Sequence, residues 1–329
     1  MTHKFKVNRL INRAKDLAFV PIFTRFWAAR NNGLVRVYLY HRVDPIGEHS
    51  FMDDGGSPTI SPDELLADLE FLRENEFEFL TINQLRTCKF EADKRYACIT
   101  FDDGFASVYD TALPMAEELG IPVTVFQCSA MLRGQSPLWE HHLYWLFADR
   151  ARLKTFEQWW TANIQHPFGA SVDVLLKEIG LIELQTALGE FTELHPEIHV
   201  DLVVACRELY PSVEQLQAAH KSKHEIGSHG HHHYQRDKLS ATEFRHELVE
   251  SKDLLTKYVG ETVTSFSYPF NRYFSGDEAV CAQLYSQTAT VDGKSVTSDA
   301  AMSSIPRCTH PGSAKNGLRQ RRWLLTGRI

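Results

Sequence analysis

Short apolar segments that alternate with amphipathic segments constrain the fold of this chain more than any other feature. The clearest apolar segment, Val35–Tyr40, is rich in β-branched and aromatic residues and predicts a strand. Further strand signals stand at residues 96–101, 122–126, 224–226, 265–268 and 288–291. Ser61 and Ser240 predict helix starts, because each has a Glu three residues later that can complete a capping box. Strands that alternate with helices predict a mainly parallel sheet or barrel, with the chemistry at the carboxyl ends of the strands.

The alternation is interrupted between residues 138 and 216, where strand signals are mostly absent. Four tryptophans and several helical stretches stand there instead, which predicts a largely helical insertion. Within the 329 residues we expect a basic N-terminal helix over 1–30, one α/β domain over 31–312 and a basic C-terminal tail over 313–329. An α/β barrel of this length can form a single domain.

Composition and charge exclude several classes of protein. Apolar residues make up 43% of the chain, which excludes a disordered protein. No run of about 18 apolar residues is present, so we expect no membrane-spanning helix. The net charge of −7 argues against a nucleic-acid partner. Six scattered cysteines without a C-x-x-C pair, together with an N-terminal segment unlike a signal peptide, predict a cytoplasmic protein with reduced thiols.

The two ends of the chain are basic although the chain as a whole is acidic. Residues 1–30 carry seven Lys or Arg and one Asp, and residues 315–329 carry five Lys or Arg and no acidic residue. Apolar residues recur at helical spacing near the N-terminus, at Val7, Leu10, Ile11, Ala14, Leu17 and Ala18. This pattern fits two alternatives: a helix docked on the barrel, or a basic amphipathic helix in peripheral contact with an anionic membrane, at the inner membrane surface.

The first motif that carries chemistry is Thr-Phe-Asp-Asp-Gly at residues 100–104, directly after a predicted strand. Two adjacent carboxylates at the end of a strand point in different directions, so one can bind a metal while the other serves as a base. Gly104 permits the sharp turn after them. The alternative is an ordinary turn with solvated acids.

The second motif, residues 227–233, places four histidines after another apolar strand. Histidines beside carboxylates are the usual ligands of a divalent transition metal. The spacing of His229 and His233 can bring both imidazoles to one side of a turn. His231 and His232 are rival ligands, and an exposed His-rich tract is the alternative. The third motif, residues 266–270, is a strand that breaks at Pro269.

Together the three motifs resemble the polysaccharide deacetylases with the NodB homology domain, carbohydrate esterase family 4. The first motif matches the family's T-F-D-D-G in full, the second supplies two histidines at the family spacing, and the third matches F-x-Y-P-[YF]. Residues 38–43 also resemble the Y-H-x-[VI] opening of many members. The resemblance covers about residues 35–130 and 215–310. It implies a distorted (β/α) barrel with the helical insertion between motifs one and two.

This sequence departs from the family pattern at several positions. Gly230 stands where Ser or Thr is usual, and Ser267 replaces an Arg that often braces the catalytic Asp; Arg307 is a candidate substitute. The sequence has no convincing match to the late Trp-containing motif or to the L-x-H motif.

The resemblance implies that Asp103, His229 and His233 bind one divalent metal ion, with Zn²⁺ the first choice and Co²⁺ or Ni²⁺ as alternatives. Three protein ligands leave positions open for water and substrate, as a catalytic site requires. Asp102 would then take the proton of the attacking water.

The resemblance assigns the oxyanion donor, and the chemistry of the leaving group calls for a proton donor. The backbone N–H of Phe270 would stabilise the oxyanion. A protonated group must reach the departing amine, and His41 and His310 are the candidates, with His41 preferred for its position at the end of a strand.

The implied substrate is an N-acetylated sugar in a polysaccharide or in its lipid- or nucleotide-linked precursor, such as that of an envelope polysaccharide. The products are acetate and a free amine. The alternatives are a glycan-binding protein without activity, an O-deacetylase, and another small-amide metal hydrolase on the same barrel.

Overall fold

The structure is a computed structural model and describes residues 21–45, 51–52, 58–133, 137–169, 171–172, 174–175, 179–293, 295, 304–311 and 317–327. The strands are β1 (Val35–Tyr40), β2 (Arg42–Val43), β3 (Thr59–Ile60), β4 (Phe77–Phe79), β5 (Arg95–Phe101), β6 (Val123–Gln127), β7 (Glu225–Ser228), β8 (Ser265–Ser267), β9 (Gln287–Val291) and β10 (Ile305–Thr309).

Seven of these strands close a parallel barrel in the order β1-β10-β9-β8-β7-β6-β5, and β5 pairs with β1 to complete the ring. At the closure Val35 is opposite Tyr96, and on the other side of β1 Tyr38 is opposite Cys308. Strand β4 lies beside the first half of β5, and β2 pairs with β3 in a separate two-stranded sheet. The predicted (β/α) barrel is therefore confirmed.

The interior of the barrel is apolar on the side of the strand starts. Alternate residues of five strands form this cluster, because successive side chains of a strand point to opposite faces. Its barrel members are Val35, Val37, Tyr96, Cys98, Phe126, Ala289 and Ile305. The intervening residues, such as Tyr38 and Ile99, belong to a larger core between the strands and the helices.

Helices surround the barrel. They are α1 (Pro21–Ala29), α2 (Pro62–Glu74), α3 (Leu113–Glu118), α4 (Trp139–Phe147), α5 (Arg150–Asn163), α6 (Leu181–Leu194), α7 (Pro196–Arg207), α8 (Val213–Lys221), α9 (Ala241–Val259), α10 (Asp277–Cys281) and α11 (Gly317–Thr326). Shorter helical turns span Asn83–Arg86, Val108–Ala112, Ser129–Arg133, Arg236–Lys238 and Pro269–Asn271. Both predicted capping boxes are present, with Ser61 at the start of α2 and Ser240 at the start of α9.

The predicted helical insertion is confirmed. Helices α4 to α8 lie between β6 and β7, and the described residues of this stretch contain no strand. Aromatic side chains form its core: Phe156 packs against Phe191 with ring centroids 4.9 Å apart, and Trp160 is fully buried. Such aromatic packing stabilises the insertion as a folded unit.

The C-terminal segment differs from our expectation of a basic tail. Residues 317–326 form α11, in which Trp323, Leu324 and Leu325 are buried. The hydroxyl of Tyr38 donates to the carbonyl of Leu324 at 2.5 Å. The apolar Trp-Leu-Leu segment thus attaches this part of the chain to the barrel domain, because burying these side chains stabilises the fold.

The predicted N-terminal helix lies outside the described residues over positions 1–20. Among the described residues, α1 spans Pro21–Ala29. Among the described helices, none is long and apolar enough to cross a membrane.

Candidate active site

The predicted site residues belong to different strands and loops but meet at one rim of the barrel. All barrel strands are parallel, so their carboxyl ends lie on the same side. A cavity of about 330 Å³ opens there, within the usual size range of ligand sites. Its lining residues are Leu39, His41, Met52, Pro58, Asp102, Asp103, Glu140, Tyr144, His229, His233, Tyr268, Phe270, Asn271, Val291, Arg307 and Thr309.

The backbone separates the two adjacent carboxylates. Asp103 has a φ of 67°, a left-handed conformation that is uncommon for a residue with a side chain. The carboxylate of Asp102 binds Arg307 and lies 3.8 Å from Nε2 of His229, while that of Asp103 lies near both His229 and His233. Gly104 comes next with a φ of 82°, and a Cβ there would overlap the side chain of Gln127. The turn after β5 therefore requires this glycine and directs the carboxylates apart.

Hydrogen bonds orient His229 and His233 toward one oxygen of Asp103. Nδ1 of His229 lies 2.9 Å from the carbonyl of Ser267, so Nδ1 carries the proton and Nε2 presents a lone pair. Nδ1 of His233 is hydrogen-bonded to the carboxylate of Glu140. The two Nε2 atoms lie 3.5 Å (His229) and 3.3 Å (His233) from Oδ1 of Asp103.

Each of these two distances, from Asp103 to one histidine, fits a pair of ligands on one metal ion. Two ligands that each bind Zn²⁺ at about 2.0–2.1 Å with tetrahedral geometry are about 3.3 Å apart. The charges agree as well: the described residues that line the cavity include three buried carboxylates, Asp102, Asp103 and Glu140, and one guanidinium, that of Arg307. With both histidines neutral, a divalent cation would balance the remaining two negative charges.

Cys128 is a competing ligand by distance. Ligand-type atoms of Asp103, Cys128 and His233 lie within 4.8 Å of one another. Burial raises the pKa of the Cys128 thiol well above its usual value, and the Asp103 carboxylate raises it further. The thiol donates to the carbonyl of His229 at 3.5 Å. His229 lines the cavity and Cys128 does not, so Asp103, His229 and His233 are ligand-type residues that face the cavity together.

Acidic and basic side chains of the site influence each other's protonation. Burial alone would lower the pKa of His233, but the carboxylates of Glu140 and Asp103 outweigh it and raise the pKa to about 9. Burial alone would raise the pKa of Asp103, but His233 and His229 hold it well below its usual value. The protonation of His233 is therefore coupled to the charges of Glu140 and Asp103.

Arg307 lies against Asp102 inside the barrel. Its two terminal nitrogens donate to the two oxygens of Asp102 at 2.6 and 2.7 Å, and one also donates to Ser267 Oγ at 2.6 Å. The guanidinium stacks over Phe126, with 5.2 Å from Cζ to the ring centroid. Burial alone would raise the pKa of Asp102, but Arg307 outweighs it and holds the pKa below its usual range. Asp102 is therefore ionised and fixed in orientation.

His231 and His232 turn away from the cavity. His231 lies 2.7 Å from Ser129 Oγ and 3.2 Å from a carboxylate oxygen of Glu250. His232 lies 2.7 Å from Glu247, whose other oxygen accepts the backbone N–H groups of both histidines. Neither ring lines the cavity, so the structure favours His229 and His233 over these rivals.

The two candidate proton donors occupy different places. His41 lines the cavity, and its buried Nδ1 has no hydrogen-bond partner among the described residues. Burial lowers its pKa, so the imidazole is neutral near pH 7. His310 instead stacks on Tyr40, 3.8 Å from a carboxylate oxygen of Asp68, and is absent from the cavity lining. Of the two, His41 alone is brought to the site.

Phe270 lies at the mouth of the cavity. Its φ of 55° is left-handed, and its ring packs on His233 with centroids 4.6 Å apart. The side chain is 41% exposed. Left-handed backbone at a bulky residue persists only where the surrounding structure enforces it, and such positions concentrate at functional sites.

The polysaccharide deacetylase family model matches residues 89–284, a range that includes Asp102, Asp103, His229, His233 and Phe270. The chain belongs to the polysaccharide deacetylase family. Because it belongs to this family, the chain is a deacetylase of the hydrolase class. Members of the family are in general metal-dependent. No curated protein matches this deacetylase by sequence.

Solved structures of deacetylases share its fold. The deacetylase PplD of Streptococcus pyogenes, in complex with acetate, is 14% identical with a TM-score of 0.57, over 90% of this chain and 99% of that one. IcaB from Ammonifex degensii is 16% identical with a TM-score of 0.54, over 89% and 97%. The Bacillus cereus polysaccharide deacetylase BC0361 is 14% identical with a TM-score of 0.56, over 89% and 69%.

The structure accounts for two of the departures of this deacetylase from the family motifs, those at Gly230 and Ser267. Gly230 has a φ of 79°, a conformation that suits glycine, and Glu247 steadies the loop through the neighbouring N–H groups. Ser267 leaves room beside Asp102, and Arg307 from β10 occupies the bracing position.

Sequence reasoning missed Glu140 and Glu247. Glu140 belongs to the insertion, outside the part of the chain that the family resemblance covers. It is hydrogen-bonded to His233, which lies 93 residues later in the sequence. Glu247 lies on α9, whose amphipathic pattern marks it as an ordinary polar position. Neither residue carries a local signal, since each acts through a contact that only the fold creates.

Proposed function

We propose that this deacetylase uses one bound divalent metal ion, Zn²⁺ in the first instance, to remove the N-acetyl group of an acetamido sugar. The sugar belongs to a glycan or to its lipid- or nucleotide-linked precursor, and the products are acetate and a free amine. The observation that carries the proposal is the convergence of Asp103, His229 and His233 while Asp102 is held apart by Arg307.

Asp103, His229 and His233 would hold the metal through Oδ1 and the two Nε2 atoms. When bound there, a divalent cation polarises the acetyl carbonyl and lowers the pKa of water. The protein's part is to keep these three ligands in place before the ion arrives. The carbonyl of Ser267 does this for His229, because it accepts the Nδ1 proton and so fixes the tautomer.

Asp102 serves as the base. Its pKa is held below the usual range, so it is ionised at neutral pH and can accept the proton that water loses when it attacks the acetyl carbon. Arg307 binds both oxygens of Asp102, which prevents the carboxylate from rotating onto the metal position. The base and the ligand therefore keep separate functions although they are sequence neighbours.

Phe270 and His41 complete the chemistry. The backbone N–H of Phe270 donates to the oxygen that gains charge as the carbonyl carbon becomes tetrahedral. When the C–N bond breaks, the amine leaves with a proton, and His41 is the imidazole beside the cavity that can transfer it. Since His41 is neutral at rest, the proton that it delivers is the one that water loses to Asp102, passed on to His41 before the C–N bond breaks.

Metal analysis combined with acetate release from a panel of N-acetyl and O-acetyl sugars tests the proposal. We expect about one divalent ion per chain and release of acetate with a free amine from N-acetyl sugars. Turnover confined to O-acetyl sugars would make it an O-deacetylase, and turnover confined to small amides would make it another metal hydrolase. Glycan binding without any turnover would support the inactive alternative.

A further inference from the structure

The helical insertion contributes a carboxylate to the centre of the site. Glu140 is the second residue of α4, yet only 7% of its side chain is exposed, and it is hydrogen-bonded to Nδ1 of His233. Both atoms that meet are buried between the insertion and the histidine loop. This contact joins a segment outside the barrel to one of the candidate metal ligands.

The backbone around Glu140 is held firmly on both sides. The N–H of Leu138 donates to the hydroxyl of Tyr210 at 2.8 Å, and Nδ1 of His141 lies 2.9 Å from the same hydroxyl. The indole N–H of Trp139 donates to the carbonyl of His233 at 3.4 Å. The first turn of α4 is therefore fixed to both the far end of the insertion and the histidine loop.

The unused oxygen of Glu140 shows that the contact is not optimised for stability. Its Oε2 is buried and has no hydrogen-bond partner among the described residues. A buried carboxylate oxygen without a partner destabilises a fold. A glutamine could accept the Nδ1 proton of His233 without placing a third negative charge beside Asp102 and Asp103. The charge therefore needs a functional reason.

We propose that Glu140 is a positioning residue for the metal centre. By accepting the Nδ1 proton it fixes the ring of His233 so that Nε2 points at Oδ1 of Asp103, 3.3 Å away. Its charge makes the imidazole a stronger donor to a cation, as carboxylate partners of metal-bound histidines do. The insertion is thereby part of the metal centre. This inference rests on the proposed metal dependence, but it concerns binding of the ion and not the sugar.

The test is a Zn²⁺ titration of metal-free full-length protein against a chromophoric chelator. Glu140→Ala should lower Zn²⁺ affinity about 10–100-fold, the usual effect of removing such a partner. Glu140→Gln, which keeps an acceptor but loses the charge, should fall between Glu140→Ala and wild type. The matched control Glu157→Gln, an exposed position on α5, should bind as wild type does.

Thermal unfolding of the metal-free proteins distinguishes a functional role from a structural one. We expect the metal-free Glu140→Gln protein to unfold at a temperature no lower than that of the wild type, although its Zn²⁺ affinity is reduced. The absorption spectrum of the Co²⁺-loaded variant should also differ from that of the wild type, because the ring of His233 is held differently.

Two outcomes would overturn the proposal. One is equal Zn²⁺ affinity in wild type and both Glu140 variants. The other is a loss of affinity that parallels a loss of unfolding temperature in Glu140→Gln, which would make the contact structural. Wild-type protein that binds Zn²⁺ but releases no acetate from any sugar would refute the proposed function alone, and the comparison of the variants would still decide the role of Glu140.

Discussion

Replacing Arg307 should move the acidic limb of the pH–rate profile to higher pH. Arg307 donates to both oxygens of Asp102, at 2.6 and 2.7 Å, and only 1% of its side chain is exposed. An opposite charge this close lowers the pKa of a carboxyl by about 1–3 units. In Arg307→Met the pKa of Asp102 should rise by about that amount, equivalent to about 1.4–4 kcal/mol.

The direction in which the acidic limb moves depends on the role of Asp102 as a base. Activity is lost when the carboxylate is protonated, so a raised pKa moves that loss to higher pH. At pH values below the raised pKa of Asp102, kcat/KM should be about 10–1000-fold lower than that of the wild type. Each unit of pKa shift corresponds to a factor of ten. Arg307→Lys keeps the charge but cannot bind both oxygens at once, so its shift should be smaller.

The assay is acetate release measured across pH for the wild type and both variants. Metal content is determined at each pH, because protonation of His233 would also produce an acidic limb. Breaking a buried ion pair costs about 3–5 kcal/mol of stability, so thermal unfolding identifies variants that remain folded. A folded, metal-loaded Arg307→Met protein with an unshifted acidic limb would refute the assignment of Asp102 as the base.

Five further variants test separate parts of the site and the fold. His233→Ala should lose the metal and turnover, whereas His231→Ala should keep both; metal analysis decides, and metal loss in the second alone would reverse the ligand assignment. Asp102→Asn should keep the metal but lose about 10²–10⁴-fold in rate, and metal loss would contradict its separate role. His41→Ala should lower kcat at unchanged metal content, because the departing amine loses its proton donor, and an unchanged kcat would transfer the role of proton donor to another group. Burial raises the pKa of Asp68 from 3.8 to about 7, so the folded state binds this proton more tightly and loses stability as pH rises from about 4 to 7. Asp68→Asn should therefore be more stable than the wild type at pH 8, by at most about 4 kcal/mol, with no difference at pH 4 in urea unfolding.

The arrangement of Asp103, His229 and His233 could be predicted because each lies just beyond a strand. Parallel strands place their carboxyl ends together whatever the sequence between them, so motifs that are far apart in the chain still meet at the rim. The two helix starts at Ser61 and Ser240 were predictable for a different reason. A capping box is a contact within four residues and needs no tertiary information.

Elements with weak local signals could not be predicted. Strand β10 contains Pro306, which lacks the N–H of a ladder residue and argues against a strand inside a sheet. Unless β10 is recognised as a strand, the sequence does not show whether Arg307 and His310 face the cavity or the opposite side of the barrel wall. Once the strand is given, its two-residue period places Arg307 and Thr309 on the cavity side and His310 on the opposite side, against Tyr40. His310 is therefore a candidate proton donor from the sequence alone. It is no longer one when β10 is recognised as a strand.

The contact between the insertion and His233 also sets a rule for building chimeric enzymes. Inserted segments are often treated as exchangeable modules that alter which ligand is admitted and leave the reacting groups alone. Here a residue of the insertion, Glu140, holds one of those groups, and Trp139 holds its backbone. Exchange of this segment between homologous barrels would change metal loading together with substrate range. A transplant that aims to alter specificity alone must retain the first turn of α4 and replace only the later part of the insertion.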